Sequence, residues 1–470
     1  MILFVNPPLS ARDLYKNLEG AGSELPSLGI AILAAVTRNN GYETRILDAL
    51  ALKLTIDQTV DEILKINPKY LGITSTTISI FNAAQVAEKI KEKNKNIITI
   101  LGGPHITAVP METMEKFTQF DIGVIGEAEE TIIELLNHLN KNLPVDDIKG
   151  LVIKDGNYLK VTERRSFIKD LDNLPFPAWD LLPDLLKYYQ PAADSLYRSP
   201  TTLLITSRGC PGQCIFCDRS VFGNHIRGFS ADYVIRMIKH LQEHFGIRDL
   251  FIEDDNFLAL RPRLREICNR IINEKIDITF SIMGRVDMVN EEILVLLKKA
   301  GCWQINYGLE SGSQKILNLL NKRVTVEKLM ETVKLTKKVG IKVKGLFMLG
   351  CYGETLETIK ETMDFIKKAP MDDFHITCFT PLPGAVGWEM ATKYGDFDPD
   401  WKKVSMFAAD NFVPNGFTKK EIERYYRQAW RSFYLKPRII WYFVKKLKDK
   451  RLRLKIIRGG ISFLKFNFKK

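Results

Sequence analysis

The 470 residues contain no run of 18 apolar residues, which excludes a helix that crosses a bilayer. The opening MILFVNPP is too short for a secretory signal and lacks its flanks, so a cytoplasmic protein is expected. No stretch is low in complexity, and with 45% hydrophobic and 26% charged residues the chain has the composition of a folded protein, not of a disordered or fibrous one. Histidine is scarce, six in all and none before His105. Cysteine is missing from residues 1–200, and the seven that follow sit in a chain whose expected compartment disfavours disulfides. Metal ligation or catalysis is the better reason for them.

Acidic residues are nearly missing from the C-terminus. Lys436 to Lys470 carries nine Lys and four Arg against Asp449 alone, which equals the net charge of +12 of the whole chain, so the rest is formally neutral. Trp441, Tyr442, Phe443, Ile456, Ile457, Phe463, Leu464, Phe466 and Phe468 interleave with these cations. That mixture suits a peripheral contact with the inner, anionic membrane face better than a nucleic-acid groove. A basic helix that packs its apolar side on its own domain is the other reading.

At roughly 150 residues per domain, two or three domains are expected. Short apolar runs at Ile2–Val5, Thr44–Leu47, Tyr70–Thr74, Ile97–Leu101 and Ile122–Ile125 alternate with helical spacing at Leu28–Asn39 and Ala83–Lys93. This α/β pattern predicts a doubly wound parallel sheet over residues 1–140, which binds ligands at the carboxyl ends of its strands. A hairpin around Val152–Val161, turned by Asp155-Gly156-Asn157, and a linker with Pro175, Pro177 and Pro183 fill 141–195. Residues 196–394 give six further strand candidates, Thr202–Thr206, Asp249–Glu253, Ile278–Ile282, Gln304–Gly308, Val343–Leu349 and Phe374–Phe379, the pattern of a partial (β/α)6 barrel. After Tyr394 strands are not expected, and 395–470 reads as a helical extension with helical spacing from Lys419 to Phe433.

Cys210, Cys214 and Cys217 form a C-x3-C-x2-C motif directly after the first barrel strand. Three thiolates can hold three irons of a four-iron, four-sulfur cluster and leave the fourth open, while Gly209 and Gly212 allow the loop to wrap closely. A zinc site would need a fourth ligand, and no second Cys or Cys/His pair is present. With this spacing on this loop, residues of about 200–385 resemble the radical S-adenosylmethionine (radical SAM) superfamily. The resemblance implies that the open iron chelates S-adenosylmethionine, which an external one-electron reductant of the flavodoxin or ferredoxin type helps to cleave into methionine and a 5′-deoxyadenosyl radical.

The same resemblance implies roles at the other strand ends. Phe216 matches the family's aromatic between the second and third cysteines. Asp254 or Asp255, in Glu253-Asp254-Asp255-Asn256, stands where the family has Gly-Gly-Glu for the amino group of S-adenosylmethionine. Arg285 would pair with its carboxylate and Glu310 with its ribose. Leu349-Gly350-Cys351-Tyr352-Gly353-Glu354-Thr355 resembles the family's Gly-x-Pro-Gly-Glu-Thr turn, and Pro381 lies in the adenine-side loop. Cys268 and Cys302 read as core, whereas Cys351 and Cys378 are expected at strand ends facing the cavity. Cys351, with Tyr352 beside it, is the candidate catalytic residue.

Residues 1–140 are similar to the cobalamin-binding domain of one branch of that superfamily. The pieces are Asn6-Pro7-Pro8, Leu28-Gly29-Ile30-Ala31, Ser75-Thr76-Thr77, Gly102-Gly103-Pro104-His105 and Gly126-Glu127-Ala128. Candidate cobalamin contacts are therefore Pro7, Ser75, Thr76, Gly102, Gly103, His105, Gly126 and Glu127. The Asp-x-His-x-x-Gly motif that ligates cobalt in mutases is absent, and a nicotinamide site fails because no G-x-G-x-x-G follows the first strand.

The expected function is radical chemistry with a [4Fe-4S] cluster, S-adenosylmethionine and cobalamin that methylates an unactivated carbon. The alternative is oxidative cyclisation, rearrangement or carbon–carbon coupling on a lipid or tetrapyrrole-like substrate. RNA methylthiolation would call for N-terminal cysteines, and a non-reacting cobalamin carrier would lack a cluster cysteine. A membrane-bound tail would favour a lipid or polyprenoid substrate.

Overall fold

The computed structural model describes residues 1–16, 22–155, 158–189, 191–192, 195–448 and 450–468; the Gly156-Asn157 turn lies outside them. In the first sheet β1 (Ile2–Asn6) lies between the edge strand β2 (Thr44–Asp48) on one side and β3 (Tyr70–Thr74), then β4 (Ile98–Gly102) and β5 (Ile122–Val124), on the other, all parallel. Antiparallel β6 (Leu151–Asp155) and β7 (Tyr158–Val161) extend it. The unbroken apolar run of β1 is explained by burial on two faces: Leu3 and Val5 belong to one apolar core, Ile2 and Phe4 to another. Strand order reverses between β1 and β3, which opens a crevice at their carboxyl ends.

The second sheet contains six parallel strands in the order β15-β14-β13-β12-β11-β8: β8 (Thr201–Leu204), β11 (Asp249–Ile252), β12 (Thr279–Gly284), β13 (Cys302–Glu310), β14 (Lys342–Leu349) and β15 (Asp373–Cys378). It curves without closing, since β8 and β15 are both edges. A small antiparallel pair, β9 (Ser207–Arg208) with β10 (Arg227–Gly228), brackets the cysteine loop.

Strands do not stop at Tyr394, contrary to the sequence reading. Gly395–Phe397 (β16) pairs with Phe412–Pro414 (β17), each three residues long and too short to show an alternating pattern. Between them Trp401 packs into one core of the first sheet and so ties the C-terminal extension to the N-terminal domain. Helix Lys419–Tyr434 then lies on β15, and helices Pro437–Lys446 and Lys450–Phe468 follow. Phe443, Phe463 and Phe466 pack against the barrel core, so the tail does turn an apolar side to its own domain. Among the described residues no helix is long and apolar enough to cross a membrane.

Candidate functional site

Cys210, Cys214 and Cys217 line a cavity of about 500 Å³ between the two sheets. Gly29, Gly72, Gly102, Gly103 and Gly126 line its other side. The cysteine loop and the carboxyl ends of β1, β3, β4 and β5 thus face one space.

Three free thiols on one cavity wall suit a cluster that takes one thiolate per iron. The Cys214 thiol is drawn down to about 6 by a hydrogen bond from Cys217 and, against burial, by Lys322 and Arg285, while Cys217 is pushed up by that same bond. Arg219 holds the loop by donating to the Gly212 carbonyl, and Arg285 Nη1 lies 3.6 Å from the Cys214 sulfur. A Cβ at Gly212 would crowd Arg285 Nη1 at 3.2 Å and the Cys210 sulfur at 3.3 Å.

The structure separates the two acidic candidates after β11. Asp254 is committed, accepting from the Thr206 amide and hydroxyl and from the Ser207 hydroxyl. Asp255 accepts from the Gly209 amide at 2.8 Å and lines the cavity beside the cysteines. Arg285 already forks onto Asp287, at 3.0 and 2.9 Å. Glu310 has left-handed backbone, φ 61°, an arrangement that costs a non-glycine residue roughly 1 kcal/mol or more and marks functional sites. Its carboxylate accepts from Lys322 at 2.7 Å, and Lys322 Nζ lies 5.8 Å from the centre of the Phe216 ring. Gly308 makes room for that pair, since a Cβ there would lie 2.4 Å from Glu310 Oε1. Lys322 has no motif around it and sequence reading missed it. Pro381 is fixed by Asn411, which donates to its carbonyl at 3.2 Å.

Two expectations need correction. Cys351 and Cys378 do not face a cavity: both are fully buried, and burial pushes their thiols up. Glu354 accepts from the amides of Gly350 and Cys351, closing the turn so that Cys351 and Tyr352 pack with Phe379 and Phe412, and the Tyr352 hydroxyl donates to the Gly387 carbonyl. Cys351 and Tyr352 thus serve as packing residues of a core that borders Ile215 and Phe216 of the cysteine loop.

On the other wall, Gly29 and Gly102 carry the clearest sign of a bound group. Neither has a positive φ and a Cβ on either would meet no protein atom within 4 Å, so packing does not demand glycine and the open cavity does. Gly103 differs: at φ 102°, its Cβ would lie 2.6 Å from the Ser75 carbonyl. The Ser75 hydroxyl is buried without a partner. These features fit a flat, bulky ligand such as a corrin. Pro7, Ser75, Thr76 and His105 lie on the neighbouring loops but outside the lining. His105 Nδ1 is 3.0 Å from the Thr77 hydroxyl and its ring meets Trp401 edge-on at 4.4 Å, so no histidine among the described residues lines the cavity.

Glu127 lies at the boundary and is fully engaged. It accepts from Arg208 at 2.8 Å, from Arg227 at 2.9 Å and from the Ile168 amide at 2.9 Å, while Arg208 also reaches Glu129. Arg208 precedes the cluster loop by two residues, so this buried network ties the loop's root to the N-terminal sheet. Nothing in the sequence pairs residues so far apart.

Comparison with known proteins agrees with this geometry. Residues 204–366 match the radical SAM superfamily and residues 17–136 the B12 binding domain. An uncharacterized methyltransferase of Pyrococcus horikoshii is 34% identical over 93% of each chain. The anaerobic magnesium-protoporphyrin IX monomethyl ester cyclase of Rubrivivax gelatinosus is 26% identical over 100% of this chain and 83% of its own. The solved structure of the cobalamin-dependent S-adenosylmethionine radical enzyme OxsB, with aqua-cobalamin and S-adenosylmethionine bound, shares the fold, with a TM-score of 0.75 at 18% identity over 98% of this chain and 71% of that one.

Proposed function

The chain belongs to the radical SAM enzymes that carry a B12 binding domain, with a [4Fe-4S] cluster, S-adenosylmethionine and cobalamin as cofactors, and from this premise we propose that it methylates an unactivated carbon of its substrate. The observation that carries the reading is that the three cysteines and the ring of glycines share one cavity. When bound, the cluster and S-adenosylmethionine supply the 5′-deoxyadenosyl radical and cobalamin supplies the methyl group.

The protein's own residues bind and orient. Cys210, Cys214 and Cys217 hold three irons. Asp255 is aimed at the amino group of S-adenosylmethionine, whereas Asp254 braces β8. Arg285 and the Glu310–Lys322 pair, with Phe216, set the charge beside the loop. Gly29, Gly102, Gly103 and Gly126 would make room for the corrin, the unpartnered Ser75 hydroxyl beside Gly103 would be available to its polar edge, and among the described residues no histidine lines the cavity that would hold it. Glu127 and Arg208 position the two halves. Enzymes of this family need an external reductant, and a flavodoxin- or ferredoxin-type protein is the donor we assign.

The test is anaerobic purification with cobalamin uptake and cluster reconstitution, expecting about four irons and about one cobalt per chain. Methyl-labelled S-adenosylmethionine should then yield S-adenosylhomocysteine together with 5′-deoxyadenosine. Formation of 5′-deoxyadenosine without S-adenosylhomocysteine, in the presence of an accepted substrate, would sink methyl transfer and favour cyclisation.

A further inference from the structure

A second cavity, of about 760 Å³, fills the concave side of the open barrel. Its inner wall is formed by side chains of the strands, among them Phe251, Met283 and Leu346, and its outer wall by the two C-terminal helices, with Phe443, Ile456 and Phe463. The wall is mostly apolar. Near the barrel end Glu253 projects into the cavity, exposed to it and with no hydrogen-bond or ion-pair partner among the described residues. Asp255 lines the cofactor cavity, so the Glu253 end of this chamber lies two residues from it along the chain.

The mouth of the chamber lies in the tail. Eight of the seventeen exposed large hydrophobic side chains of the described residues fall in the last 36 residues, and five of these eight, Leu435, Ile440, Val444, Ile457 and Leu464, also line the chamber. The apolar surface is therefore continuous from the outside of the molecule to the inside of the barrel. Lys445, Arg453, Arg458 and Lys465 are exposed on the same two helices and Lys448 in the turn between them, and the sequence of this segment has Asp449 as its only acid. Exposed apolar side chains flanked by cations are the surface that anionic bilayers bind.

We propose that the chamber takes the hydrocarbon chain of an anionic membrane lipid, drawn tail-first through the two C-terminal helices while its headgroup stays with their Lys and Arg side chains. The orientation follows from charge. Of the charged groups on the chamber wall, Lys344 is matched by Asp373 at 3.2 Å and Glu24 by Lys53 at 2.9 Å, whereas Glu253 stands at the inner end and the exposed cations at the outer one, so an anionic head fits outside, and a hydroxyl on the chain is the group Glu253 would accept from. Saturated carbons have no acidic or electrophilic position, which is the situation radical abstraction serves. This assignment deepens the proposed function and rests on its reading of the adjoining cofactor cavity.

The experiment uses the full chain loaded with cluster and cobalamin. Calorimetry with monolauroyl lysophosphatidylglycerol below its micelle concentration is expected to show one saturable site per chain, with the uncharged monolaurin at least about tenfold weaker. Leu346→Trp, inside the chamber, and Gly460→Trp, at the mouth where a Cβ meets no protein atom, should each weaken the lysolipid at least about tenfold. Vesicles of phosphatidylcholine with phosphatidylglycerol should sediment the protein, vesicles of phosphatidylcholine alone should not, and the double variant Ile457→Asp/Leu464→Asp should lose capture. Lysolipid binding that both tryptophan variants leave intact would overturn the chamber, and lysolipid binding without vesicle capture would overturn the membrane source. Substrate-free formation of 5′-deoxyadenosine is measured alongside: its loss in the unsubstituted protein indicts the cofactor reading, whereas failed lipid binding with that activity intact indicts only this proposal.

Discussion

The guanidinium of Arg208 lies 2.8 Å from the carboxylate of Glu127, in a contact that joins the cluster-bearing sheet to the N-terminal sheet and leaves each side chain only 3% exposed. Glu127 also accepts from Arg227, so one carboxylate faces two cations. Burial alone would raise its pKa, yet Arg227 and Arg208 hold it below the usual carboxylate range.

Removing one member of a buried pair leaves the others uncompensated and costs about 3–5 kcal/mol. Glu127→Gln and Arg208→Met should each lower the urea midpoint markedly, and the double variant should lose less than the sum of the two. Additive losses in the double variant would show that the residues do not act as a pair.

Gly102 and Gly103 are neighbours with opposite demands. A Cβ on Gly102 meets no protein atom and opens onto the cavity, so Gly102→Leu should fold with a melting temperature near the parent's while cobalt per chain falls at least about tenfold at matched free cobalamin. Gly103→Ala must fit a Cβ 2.6 Å from the Ser75 carbonyl at φ 102°, so it should lower the melting temperature instead. Cobalt loading of Gly102→Leu equal to that of the parent would remove the corrin from this cavity.

What the sequence made legible was local. Strand runs such as Tyr70–Thr74 and the C-x3-C-x2-C loop announce themselves through periodicity and spacing, and both sheets follow from the alternation they belong to. What stayed hidden depends on pairs distant in the chain. Glu127 is expected at the cofactor because it follows Gly126; it does line the cavity, but its carboxylate is engaged by Arg208, 81 residues on. Cys351 looked like a cavity residue because it ends a strand, but the direction of its side chain is decided by Glu354 capping the turn. Only packing separates Asp254 from Asp255, because adjacent residues at a strand end point to opposite sides.

The cysteines should divide accordingly. Cys210→Ala, Cys214→Ala and Cys217→Ala should each reduce iron from about four per chain to little or none. Cys351→Ser buries a hydroxyl in an apolar cluster and should cost about 1–3 kcal/mol in stability while the iron content stays unchanged. Iron loss in Cys351→Ser at a temperature where the variant is folded would return that thiol to the site.

His105 sets an acid limit on the N-terminal domain. Burial, with a smaller contribution from Lys116, lowers its pKa to about 4 from the ordinary value of 6.5. The unfolded chain therefore binds a proton in a range where the folded chain does not, so stability from this group is present above pH 6.5 and is lost as the pH falls from there towards 4. The loss approaches about 3 kcal/mol at the lower end. His105→Phe keeps an aromatic edge for Trp401 and sacrifices the bond to Thr77, so it should lower stability at pH 7 yet flatten the decline across that window. Urea denaturation at half-unit steps of pH measures both. A variant whose stability falls as steeply as the parent's would place the responsible proton on another residue, and the neutral imidazole against Trp401 would then lose its part in holding the C-terminal extension to the first sheet.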